Sequence, residues 1–256
     1  MAIIDVTRPG SKIEQGNLHI LTKSQRRLEE LFTSMGFQIA LGPEAEHEFY
    51  NFDALNVPKD HPARDMQDTF FLSDVPETVL RTHCTAVDIH YMEHHEAPLR
   101  VLAPGRVYRN ESIDATHEAQ FYQLDGLVVG KTISLANLKY ILGSVVRAFL
   151  EDESIKVRFR PGYFPFVEPG VELDISCVHC KTTISRECNV CKGSGWIELL
   201  GAGMLHPNVL RAVDIDPKKY SALAFGIGLE RLVMLKYGIE DIRNFYDGEI
   251  PFLKQF

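Results

Sequence analysis

The residues best suited to chemistry in this 256-residue sequence lie between Gly105 and Val129, GRVYRNESIDATHEAQFYQLDGLVV. Two runs of apolar and aromatic residues at strand-like spacing flank a polar loop of about a dozen residues, the pattern of a long antiparallel hairpin. Arg109 closes the first strand, Glu111 follows two residues on, and His117, Gln123 and Asp125 crowd the loop and the return strand. Polar groups buried on a sheet cost about 1–3 kcal/mol each unless they meet partners, so a ligand is their natural partner.

Arg231 lies far downstream, in LAFGIGLERLVMLKYGI, where a strand (Leu223 to Phe225) runs through Gly226 and Gly228 into a helix. The GxG pair is weak evidence for phosphate, because it lacks the third glycine of a dinucleotide loop and the GK[ST] of a P-loop. An arginine on the first turns of that helix is the better clue. Its planar fork meets two phosphate oxygens at once, so Arg109 and Arg231 together suggest a polyphosphate held across an antiparallel sheet.

A third constellation is CVHCKTTISRECNVC, where Cys177, Cys180, Cys188 and Cys191 form two C-x2-C pairs seven residues apart. Each pair can form a knuckle whose backbone amides point at the sulfurs, and two knuckles offer four thiolates at tetrahedral geometry. The spacing predicts a structural Zn2+ without an open coordination position, with an iron–sulfur site, redox pairs or plain buried cysteines as alternatives. Residues 176–195 then form a metal knuckle inserted into a single domain that spans 1–256.

The elements that must position these groups follow from periodicity. Residues 1–20 read as an extended lead-in, and the first helix runs from Lys23 to about Met35, with Thr22 as N-cap, Gln25 as its reciprocal partner and Gly36 as the stop. A short strand covers Phe37 to Leu41. Residues 51–72, dense in Pro, Asp, Asn and His, are either a surface loop or the wall of a site. In residues 79–92 a strand end carrying Arg81, Thr82, His83 and Thr85 turns helical; a histidine there is either structural or catalytic. A strand at Leu99 to Ala103 leads into the hairpin, and Ser134 caps a helix to Leu150 whose stripe of Leu135, Leu138, Leu142, Val145, Val146 and Phe149 is core. Ile155 to Arg160 is a strand. Phe164 and Phe166 share a face if the backbone is extended, and could be core or the jaws of an apolar pocket, with Glu168 nearby favouring the pocket. Trp196 to Leu200 is a strand, and the small residues of LGAGMLHPNVL allow close approach of a ligand or another strand.

A formal net charge of −8 is the wrong sign for a protein that holds nucleic acid by a general basic surface. No apolar run approaches the roughly 20 residues of a membrane span and no signal pattern opens the sequence, so a cytoplasmic protein without a membrane partner is expected. Four cysteines within one block also argue against a disulfide scaffold, and Cys84 stands alone.

The motifs resemble those of a known family. GFQIALGPE with NFDALNVP, HPARDMQDTF, RTHCTAV, the Gly105–Val129 hairpin, RFRPGYFPFVEPG, GAGMLHPNVL and AFGIGLERLVMLKYGI are similar to the class II aminoacyl-tRNA synthetases, and within them to the α, catalytic subunits of the bacterial phenylalanine enzymes, from DVTRPG to the C-terminal FLKQF. The resemblance implies an α+β fold, an antiparallel sheet flanked by helices, here with a small four-cysteine zinc-knuckle insertion. It implies activation of L-phenylalanine with ATP to the adenylate, transfer to tRNA(Phe), Mg2+ as cofactor, and a β subunit in a heterotetramer that carries the proofreading. The rival is a non-catalytic class II-like binding or regulatory module, against which the retained arginines, Glu168 and aromatic pair argue.

By resemblance, Arg109 grips the α-phosphate and the amino-acid carboxylate, Glu111 sits near the adenine, Phe121 and Arg231 sandwich its ring, Arg231 also reaches the γ-phosphate, and His117 contacts the phosphates. His83, Thr85, Gln123 and Asp125 hold the phenylalanine ammonium and carboxylate, Phe164 and Phe166 meet its ring, Ala224 forms the pocket floor, and Glu168 ligates Mg2+ with the partner subunit. Asp125 stands where the family commonly has Glu, and Thr85 where it commonly has Ser. The cysteine block occupies a segment often shorter and cysteine-free. The family's N-terminal coiled coil has no counterpart in the sequence, which implies a trimmed or a minimal form, and the lack of a C-terminal anticodon domain favours an αβ assembly.

Overall fold

The computed structural model describes residues 16–64, 68–180 and 187–256, so DVTRPG, the centre of HPARDMQDTF and the middle of the cysteine block lie outside the described residues. Helix α1 spans Ile20–Ser34, starting before the expected Lys23 because the His19 side chain accepts from the Leu21 amide and caps it. Thr22 therefore lies inside the helix, and Gln25 donates to Glu29 instead of reaching back. Gly36, at φ +85°, ends it in a conformation that a residue without Cβ adopts freely.

Strand β1 (Gln38–Ile39) is shorter than expected, and β2 (Ala45–His47) pairs with β3 (Thr78–Leu80) as a separate antiparallel ribbon. Helix α2 (Thr85–His94) precedes β4 (Leu99–Tyr108), which merges the expected Leu99–Ala103 strand with the first arm of the hairpin. The return arm is β5 (Gln120–Gly130), in register so that Gly105 faces Gln123 and Ala103 faces Asp125. Helix α3 (Leu135–Leu150) starts at Ser134, whose amide donates to Asn137 Oδ1 at 2.9 Å. Then come β6 (Val157–Phe164), β7 (Val167–Ser176), β8 (Trp196–Leu205), α4 (Pro207–Ala212), β9 (Ser221–Gly228), α5 (Leu229–Tyr237) and the short α6 (Ile250–Leu253). β6 begins later than Ile155, which turns into the core, and β8 runs through the small residues to Leu205.

Seven strands form one sheet in the order β1-β4-β5-β9-β8-β7-β6. It is mixed and not wholly antiparallel, because β1 reaches β4 through the β2–β3 ribbon and α2, a crossover that returns the chain parallel. Residues opposite one another in antiparallel strands share a face. One face, with Leu124, Val128, Leu223, Phe225 and Ile227, packs under α1, α3 and α5 and forms the main core, where Phe32 stacks on Phe225 at 5.3 Å. The other face carries Leu127, Val129, Ala222 and Ala224 against Phe52, Leu55, α2 and α4.

A row of residues crosses this second face: Asp125 on β5, Gly226 on β9, Gly201 on β8 and Glu172 on β7. The two glycines open a trough. A Cβ on Gly226 would stand 2.5 Å from Gln123 Nε2 and 2.8 Å from Asp125 Oδ1, and one on Gly201 2.7 Å from the Phe164 ring. The GxG pair is therefore part of the sheet and not a turn that cradles phosphate. Among the described residues no helix is long and apolar enough to cross a membrane.

Candidate active site

The polar end of the trough is built where α2 starts beside β5. Thr85 Oγ1 donates to Asp125 Oδ2 at 2.5 Å, while Asp125 Oδ1 and Gln123 Oε1 are buried without donors. Burial pushes the Asp125 carboxyl up to about 7, although Thr85, Arg109 and Arg81 favour its ionised form. His83 lies beside them, its ring pushed down to about 3 by burial and by the Arg109 charge, which keeps it neutral. Unpartnered acceptors next to neutral imidazole suit the donors of an ammonium group.

The other end is apolar. Phe164 ends β6 and Pro165 and Phe166 form the turn to β7, so the segment is not extended throughout, yet the two rings lie side by side, 6.0 Å apart. The turn is tied to residues 51–72 by Asn56 Nδ2, which donates to the Pro165 carbonyl at 2.8 Å. Ala224 and the two rings enclose, with the polar cluster, a cavity of about 480 Å3 that His61, Ala63 and Asp68 also line. Among the described residues, His61, Ala63 and Asp68 thus bring the 51–72 segment to the wall of this cavity.

Arg109 links this cavity to a slot of about 160 Å3 bounded by Glu111, His117, Phe121 and Arg231. Its guanidinium lies 5.0 Å over the Phe121 ring, and its Nε donates to the Thr82 carbonyl at 3.3 Å. Arg231 projects from the first turn of α5. The Thr116 and His117 amides donate to Asp114 and hold its carboxyl well below the usual range, while His117 Nδ1 lies 3.0 Å from the same group. A third cavity, of about 830 Å3, shares Arg109, His117 and Arg231 with the slot and has the cysteine loop as its far wall.

Two buried acids escaped the sequence reading, and Arg81, which it placed at a strand end, has a role that it did not give. Glu230 accepts from the Tyr122 amide at 2.8 Å and the Tyr246 hydroxyl at 2.5 Å, and burial pushes its carboxyl up to about 7. Its signal was an acid on the buried side of α5, beside Leu229 and Val233. Asp88 lies one turn into α2, both oxygens buried without donors, its carboxyl raised by burial and by the charge of Asp125; an acid among Ala86, Val87 and Ile89 was its signal. Arg81 is buried as a strap, Nε donating to the Arg106 carbonyl at 2.7 Å and Nη1 to that of Gly42 at 3.2 Å.

The cysteine block connects β7 to β8. The four sulfurs lie within 4.8 Å of one another, with Cys177 and Cys188 at 3.8 Å and Cys180 and Cys191 at 3.6 Å. A tetrahedral site with Zn–S of about 2.3 Å has edges of about 3.8 Å, so the donors fit such an ion. The His179 and Cys180 amides face Cys177, and those of Val190 and Cys191 face Cys188, lowering the latter thiol to about 6. Glu168 stands apart from all three cavities: it is exposed and pairs with His206 Nε2 at 3.2 Å. Among the described residues only the cysteines bring three or more ligand groups together.

Residues 3–256 match the family of tRNA synthetases class II core domain (F). A pyrrolysyl-tRNA synthetase from Desulfitobacterium hafniense shares the fold with a TM-score of 0.63 at 18% identity, covering 90% of this chain and 74% of that one. The chain belongs to the class II aminoacyl-tRNA synthetases. It is 51% identical to the phenylalanine–tRNA ligase alpha subunit of Caldicellulosiruptor saccharolyticus, over 99% of this chain and 73% of the relative. It is 53% identical to that of Anoxybacillus flavithermus, over 99% and 72%. Within the class, the chain belongs to the phenylalanine–tRNA ligase alpha subunits.

Proposed function

We propose that this chain activates L-phenylalanine with ATP and transfers it to tRNA(Phe), as the catalytic subunit of an enzyme completed by a β subunit. The observation that carries the reading is one cavity with unpartnered carboxylate and amide oxygens at one end and paired phenyl rings at the other, joined through Arg109 to a slot with a second arginine. A free amino acid with an aromatic side chain matches both ends.

In this reading Asp125, Gln123, Thr85 and His83 hold the ammonium and orient the carboxylate toward Arg109. Phe164 and Phe166 meet the phenyl ring, and Ala224 limits its depth. Phe121 and Arg231 flank the adenine, Glu111 lies near it, and His117 contacts the phosphates. The phenylalanine carboxylate attacks the α-phosphorus in line and pyrophosphate leaves with the electron pair of the broken P–O bond. Arg109 and Arg231 stabilise the added charge, so positioning and electrostatics carry the rate without a covalent enzyme intermediate. The terminal ribose hydroxyl of tRNA then displaces AMP from the adenylate.

Mg2+ supplies charge neutralisation when bound with the nucleotide. The Glu168 carboxylate lies outside the cavities assigned to the nucleotide and pairs with His206 Nε2 at 3.2 Å, so it does not fit an ion held by the ATP phosphates. For the cysteine site we propose Zn2+ in a structural role. The exposed Ile39 and Leu41, at the β1 edge of the sheet, support a partner subunit.

Phenylalanine-dependent ATP–pyrophosphate exchange, measured with and without a co-expressed larger subunit, tests the reading. Exchange is expected with the partner present, and its absence there would favour a non-catalytic module instead.

A further inference from the structure

The far side of the cysteine loop faces the nucleotide slot. Lys192, His179 and Asn189 line the cavity of about 830 Å3 whose near wall holds Arg109, His117 and Arg231. Two acids also border it, but Glu198 already accepts from Arg160 Nη2 at 2.9 Å, so Glu240 is left to face three permanent cations. No carboxylate pairs with Lys192 among the described residues.

The direction of Lys192 is set by the knuckle. It follows Cys191 directly, its backbone is left-handed at φ 49°, and its amide donates to the Cys188 carbonyl at 2.8 Å. A non-glycine residue in that region is strained and persists only where its surroundings hold it. Here the turn around the clustered sulfurs does so.

Among the described residues Arg109 is also the only one that this cavity shares with the aromatic one. In-line displacement places nucleophile and leaving group on opposite sides of the α-phosphorus. With the amino acid on one side of Arg109, the leaving group points into the cationic cavity on the other. We propose that Lys192, aided by His179, forms the pyrophosphate end of the nucleotide site, so that the metal knuckle is a wall of the active site and binds the β- and γ-phosphates of ATP. This rests on reading the slot as an ATP site.

The test uses the complex with its partner subunit and the variants Lys192→Gln and Lys192→Arg, each checked for metal by elemental analysis. Lys192→Gln is expected to raise the KM for ATP and for pyrophosphate in the exchange assay about tenfold, and to weaken calorimetric binding of inorganic pyrophosphate equally. The KM for phenylalanine and the metal content stay unchanged, and Lys192→Arg restores most of the loss. Unaltered ATP and pyrophosphate constants in Lys192→Gln, or a rise confined to the KM for tRNA, would overturn the proposal. A lack of exchange in the unaltered complex would instead remove the ATP reading, and the proposal with it.

Discussion

The Thr85 hydroxyl donates to Asp125 Oδ2 at 2.5 Å, and the second oxygen of that carboxylate, Oδ1, is buried with no donor of its own. An ammonium ion would supply the missing donor only while the carboxyl is ionised. With the Asp125 carboxyl at about 7, kcat/KM for phenylalanine is expected to fall below pH 7 by up to about tenfold per pH unit. Asp125→Asn should give a low value without that inflection. A wild-type profile flat from pH 6 to 8 would rule out Asp125 as the ammonium partner.

The same burial has a consequence for stability. A carboxyl raised above its unfolded value favours folding at low pH, and that contribution is lost as pH rises from about 4 through 7. Asp125→Asn removes the loss. Without phenylalanine, the variant should gain on the order of 4 kcal/mol over wild type at pH 8 but little at pH 4, as measured by urea unfolding.

Gly226 keeps the trough open beside these groups. A methyl group at this position would press on Gln123 Nε2 and Asp125 Oδ1, where the ammonium is expected. Gly226→Ala should raise the KM for phenylalanine at least about tenfold while the KM for ATP changes by less than about twofold. Equal effects on both constants would mean that the substitution distorts β9 instead of filling the trough.

Ala224 stands two residues earlier on the same face, 5% exposed at the aromatic cavity and opposite Leu127. Ala224→Gly deepens the cavity by one methyl and should shift kcat/KM toward para-chlorophenylalanine by about tenfold or more, at a strand cost of about 1 kcal/mol. Unchanged discrimination in exchange assays would show that Ala224 is not the floor.

Much of this was legible because the chemistry sits on regular elements. The alternation of β5 puts Gln123 and Asp125 on one face, and Ser134 marks its helix by a local cap. The His19 cap escaped because histidine is an uncommon cap, and its ring also reaches the Phe245 carbonyl, 226 residues away. In sequence Gly226 reads as a passage from strand to helix, while the small residues around Gly201 signal close approach; that the Phe164 ring is what approaches shows only when β8, β9 and that turn are juxtaposed. Asp88 and Glu230 likewise became informative only when burial showed carboxylates without enough donors. Glu168 was grouped with the phenyl rings by sequence proximity, but the β6–β7 turn directs it outward to His206.

The cysteines are the clearest case of spacing read as chemistry, and they carry the last prediction. Cys177 and Cys191 are buried and join the main core, so the cysteine cluster closes the edge of that core. The purified protein should contain about one Zn2+ per chain. Cys177→Ser with Cys188→Ser removes opposing ligands from the two knuckles, and should abolish metal binding and lower Tm by several degrees. Hydrogen exchange should rise first in residues 177–195 and in the adjoining ends of β7 and β8, before the α3 core responds. A protein with all four thiols free and no metal by elemental analysis would refute the site. Metal loss with unchanged exchange in the loop would separate binding from structure, leaving the knuckle held by Cys177 and Cys191 packing alone.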